Sequence, residues 1–77
     1  MKEYRRHLFV VYDDGRRVNS PTEFYADSDE EAVAKAKETV KRLNEDGIHP
    51  SSGIKRYEFR CVDRIDQREK TTRLSIE

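Results

Sequence analysis

The stretch Ala26-Asp27-Ser28-Asp29-Glu30-Glu31-Ala32-Val33-Ala34-Lys35-Ala36-Lys37-Glu38-Thr39-Val40-Lys41-Arg42-Leu43-Asn44-Glu45-Asp46-Gly47 decides the fold. It spells one amphipathic helix with its start, its buried stripe and its stop. Ser28 and Glu31 fit the S-x-x-E capping box, in which each side chain accepts from a backbone N–H at the helix start. Asp29, Glu30 and Glu31 place negative charge where the helix dipole is positive. Val33, Ala36, Val40 and Leu43 then recur at spacings of three and four, with Ala32 beside them, which predicts a helix from about Asp29 to Asp46. Lys35, Lys37, Glu38, Lys41, Arg42 and Glu45 make its solvated side. The small Ala32 and Ala36 permit a close approach to whatever lies beneath. Gly47 is expected to take the left-handed conformation past the last turn, with Ile48 folding back over Leu43 or Asn44.

Outward from the helix the pattern has period two. Tyr4 to Tyr12 contains Leu-Phe-Val-Val-Tyr, rich in strand formers. Asp13-Asp14-Gly15 reads as a three-residue hairpin loop with Gly15 in a left-handed bulge, setting Tyr12 opposite Arg16 and Val10 opposite Val18. One face of the hairpin then holds Tyr4, Leu8, Val10, Tyr12, Val18, Ser20, Thr22 and Phe24. It is the more apolar and is assigned to the helix side. After the His49–Gly53 loop, Ile54 to Ile65 alternates again: Tyr57, Phe59, Cys61 and Ile65 are expected under the helix, with Asp63 the exception. Thr71 to Ile76 reads as a short last strand with Thr72, Leu74 and Ile76 aligned. Pro21 lacks a ladder donor and favours an edge for the second strand. The expected architecture is a two-layer α+β domain spanning residues 1–77, ββαββ, with one helix on a four-stranded antiparallel sheet in the order 2-1-3-4.

Composition narrows the function. The 77 residues are 42% charged but balanced, with 16 basic and 16 acidic side chains, so no global field draws the chain to nucleic acid or membrane. The apolar run Leu8–Tyr12 is too short for a membrane span. A single cysteine excludes an internal disulfide and suits a reducing, cytoplasmic setting. No phosphate-binding glycine motif and no H-x3-H or C-x2-C pair is present, so neither cofactor nor metal is expected. Cys61 reads as a small buried residue, and no acid–base pair stands out, so catalysis is not expected. A lone helix on a small sheet is also expected to leave little room for a substrate pocket.

The surface that remains is the sheet face away from the helix. The alternation collects Arg5, Phe9, Val11, Arg17, Tyr25, Arg56, Arg60, Val62 and Arg64 there, joined by His7 and interrupted by Glu23 and Glu58. The expectation is a non-catalytic interaction module. It would form a homo-oligomer, or hold a larger protein, through this open face or an edge strand. The alternative is nucleic-acid binding by the same arginines and rings.

Overall fold

In the computed structural model, which describes residues 1–67 and 70–75, Asp13-Asp14-Gly15 reverses the chain in the expected register. Tyr12 N–H donates to the Arg16 carbonyl and Gly15 N–H to the Tyr12 carbonyl, each at 2.9 Å. Gly15 adopts φ 89°, a conformation that side-chain-bearing residues avoid. The hairpin joins β1 (Lys2–Tyr12) to β2 (Arg17–Ala26), with Val10 opposite Val18. The helix α1 (Asp29–Asp46) follows, then β3 (Ile54–Gln67) and β4 (Lys70–Arg73). The sheet order is β2-β1-β3-β4 and every neighbouring pair is antiparallel. The helix lies across one face of this sheet.

Ser28 caps the helix as expected, its Oγ accepting from Glu31 N–H at 3.1 Å. The reciprocal arm reaches one residue further back, where Glu31 Oε2 accepts from Asp27 N–H at 2.9 Å. The far end differs from expectation. Gly47 has φ −97° and is not left-handed. Glycine is needed there for space, since a Cβ would stand 2.9 Å from the Leu43 carbonyl oxygen. The helix end is fastened instead by Asn44, whose amide donates to the Tyr57 carbonyl at 3.0 Å and accepts from Tyr57 N–H at 2.7 Å.

Tyr4, Ala26, Ala32, Ala36 and Val62 form the centre of the core, with Phe24, Phe59 and Leu74 packed around it. The two alanines let α1 approach the sheet closely, above all over β3. The last strand is shorter than the sequence predicts: β4 ends at Arg73, although Leu74 N–H still donates to the Val62 carbonyl at 2.9 Å in the same register. Ile76, also assigned to that strand, lies outside the described residues.

The main correction concerns β3. His7 pairs with Cys61 and the next residue, Leu8, pairs with Phe59, so Arg60 has no opposite number on β1. One extra residue in a strand inverts every side chain beyond it. Tyr57 and Phe59 face the helix as expected, but Cys61, Asp63 and Ile65 fall on the open face. Val62, expected outside, is 0% exposed in the core beneath α1. Arg64, also expected outside, lies on the helix side, where its Nη1 donates to Asp29 Oδ2 at 2.6 Å.

Candidate functional site

Six of the nine residues expected on the open face are there by register, on three adjacent strands: Arg5, Phe9 and Val11 on β1, Arg17 and Tyr25 on β2, and Arg56 on β3. Arg60, in the bulge, joins them through its guanidinium, which lies 5.5 Å from the Phe9 ring centroid. Arg17 lies 5.6 Å from the same ring, so Phe9 is clasped by two cations. Val11 is less available than the sequence suggests. It is 4% exposed between its cross-strand neighbours Arg17 and Arg56, whose long stems can cover apolar surface. Tyr25 is 57% exposed near the end of β2, with its carbonyl accepting from Lys35 Nζ at 3.3 Å.

The charges on this face are interleaved rather than segregated. Glu58 takes Arg17 and Arg56, the latter at 2.9 Å, and these two guanidiniums hold its carboxyl below the usual carboxylate range. Arg5 pairs with Glu23 at 3.3 Å. Arg73 of β4 donates to Asp63 Oδ1 at 3.1 Å. Among the described residues, Arg60 is the arginine of this face with no carboxylate partner.

Behind this lattice is a cluster that sequence reasoning did not assemble. His7 Nε2 lies 3.1 Å from Asp63 Oδ2, and one donor atom each from His7, Cys61 and Asp63 lies within 4.8 Å of the others. Burial pushes the Asp63 carboxyl up, but Arg73 and His7 outweigh it and hold it below its usual range. Burial pushes the Cys61 thiol up. His7 Nδ1 is buried and has no partner among the described residues. The missing signal was the bulge: without it, His7 and Cys61 are assigned to opposite faces.

On the helix side, a groove of about 630 Å³ opens between α1 and β2, lined by Arg6, Phe24, Lys35, Thr39 and Arg42 among others. This is larger than expected for one helix on a small sheet, because small residues on α1 leave the β2 margin uncovered. It is an open trough. Arg42 within it pairs with Glu38 at 3.3 Å, and Lys35 with Glu31 at 3.3 Å. No nucleophile–base pair lines it. No described helix is long and apolar enough to cross a membrane. No protein-family model, curated protein or solved structure matches the chain.

Proposed function

We propose that this chain is a non-catalytic interaction module that self-associates, the open sheet face of one copy docking on the same face of a second. The observation that carries the reading is the interleaving of both signs of charge around Phe9. A face with Arg5, Arg17, Arg56 and Arg73 set among Glu23, Glu58 and Asp63 can meet its own two-fold image without a clash of like charge, as an isologous contact requires. It is poorly suited to a polyanion, because four of its arginines already hold carboxylates and the Phe9 ring is covered by guanidiniums rather than open to a base. Scale agrees as well. The molecule measures 38 × 22 × 20 Å, so its broad side offers on the order of the ~800 Å² per partner of a standard interface.

Sedimentation equilibrium of the wild type and of Phe9→Asp tests the reading. The expected result is a wild-type dimer and a Phe9→Asp monomer with an unchanged circular dichroism spectrum, since the ring at the centre of the contact is replaced by a hydrated carboxylate that Arg17 and Arg60 of the same chain can hold. Val62→Asp is the matched control on the helix side and should unfold the chain. A wild type that stays monomeric at millimolar concentration removes the reading. Tight, steeply salt-dependent binding of a single-stranded oligonucleotide would put the nucleic-acid alternative in its place.

A further inference from the structure

We propose that His7, Cys61 and Asp63 form a Zn²⁺ site on the open sheet face, supplying an imidazole nitrogen, a thiolate sulfur and a carboxylate oxygen as three of four tetrahedral ligands, with water as the fourth. The site is built by the backbone. His7 and Cys61 face each other across β1 and β3, and Asp63 is the next residue of β3 on the same face. The bulge at Arg60 is what turns Cys61 and Asp63 to that side. All three ligands therefore come from the two central strands, the stiffest part of the sheet.

The distances suit the ion. Zn²⁺ bonds of about 2.0–2.3 Å set neighbouring donors roughly 3.5 Å apart. The three donors here lie within 4.8 Å of one another. Rotation of the three side chains is the movement that has to close that difference. Nε2 is the ring nitrogen turned to the cluster, 3.1 Å from Asp63 Oδ2, and is the one that takes the ion. Nδ1, on the other side of the ring and without a partner among the described residues, then carries the ring proton.

Charge and softness select zinc. A thiolate and a carboxylate together neutralise the two charges of the ion, which matters where Cys61 and Asp63 are each 6% exposed. Coordination replaces the Cys61 S–H bond with a sulfur–zinc bond, and the proton leaves to solvent. Arg73 balances Asp63 in the metal-free chain, and its largely exposed side chain swings into water when the ion arrives. A thiolate and an imidazole disfavour Mg²⁺ and Ca²⁺, which take oxygen ligands. The site stands whether or not the face pairs with a second copy.

Titration of the full-length reduced protein with Co²⁺, a spectroscopic stand-in for Zn²⁺, tests this. One equivalent should bind per chain, with a thiolate-to-cobalt charge-transfer band in the near ultraviolet and intense tetrahedral bands in the visible. Zn²⁺ should displace it and raise the melting temperature. Cys61→Ser should abolish the charge-transfer band, and His7→Gln should weaken binding tenfold or more. His49→Gln, at the loop histidine, should change neither. A wild type that gives no charge-transfer band overturns the proposal without recourse to any variant. So does a band that survives Cys61→Ser, or one lost with His49→Gln.

Discussion

Tyr4 shows how much of this fold rests on single side chains that reach across the chain. It is 0% exposed, stacks on Phe24 with ring centroids 5.8 Å apart, and donates its hydroxyl to Asp29 Oδ1 at 2.8 Å. Asp29 opens the helix and also receives Arg64, so one carboxylate joins α1 to β1 and β3. Burial first, and the Asp29 carboxylate second, push the Tyr4 phenol up to about 12 from 10.0. The folded state thus keeps its proton where the unfolded chain loses it. Stability is therefore untouched by this group below pH 10, and falls as pH rises from about 10 to about 12. Urea titrations at successive alkaline pH should show that decline in the wild type and a shallower one in Tyr4→Phe; equal slopes would mean that Tyr4 ionises in place. Ser28→Ala should cost about 0.5–2 kcal/mol by removing the cap acceptor, and no change in the urea midpoint would place the helix start elsewhere. Arg6 is the opposite case. Its Nε is buried with no partner among the described residues, and burial lowers its pKa. Arg6→Met should accordingly be neutral or stabilising by up to about 1 kcal/mol in the same titration. The Ser28–Glu31 cap was legible because both partners lie within one turn. The Tyr4–Asp29–Arg64 junction was not, because its members are joined only by the folded sheet.

At the scale of elements, local rules succeeded where a turn fixes the register and failed where a bulge resets it. The Asp13-Asp14-Gly15 loop carries its own backbone requirement, so every face assignment on β1 and β2 followed from it. The bulge in β3 has no such mark. Arg60 is neither glycine nor proline, and Arg-Cys-Val-Asp continues the alternation in either phase. What fixes the phase lies outside β3, in the core where Val62 joins Tyr4 of β1 and Ala32 of α1 in one cluster. The extra residue, not the arginine itself, is what the sheet requires. Deleting Arg60 should turn Val62 outward and Cys61 and Asp63 into the core, and the chain should lose its cooperative thermal transition by circular dichroism. Arg60→Ala should melt within a few degrees of the wild type. If the deletion variant folds as well as Arg60→Ala does, the inversion at β3 is not what places Val62 in the core.

For the whole molecule, the question is which of its margins can accept another chain. β2 is an outer strand, exposed along most of its length, yet Pro21 in its middle lacks an N–H for a further ladder. The other side is short: β4, the outer strand there, offers only Lys70–Arg73, and near the start of β3 the Asn44 amide occupies both backbone groups of Tyr57. With one margin interrupted and the other only four residues long, the proposed contact falls to the broad open face, and association should be saturable rather than open-ended. Pro21→Thr tests that division of labour. It restores a donor in a strand that already exposes Val18 and Tyr25, so the variant should gain a concentration-dependent light-scattering signal beyond the dimer. Adding Phe9→Asp to it should remove the face contact and leave an edge-paired dimer, because the two contacts use different parts of the sheet. If the double variant is monomeric, the scattering species grows through the open face, and Pro21 is not what keeps the edge closed.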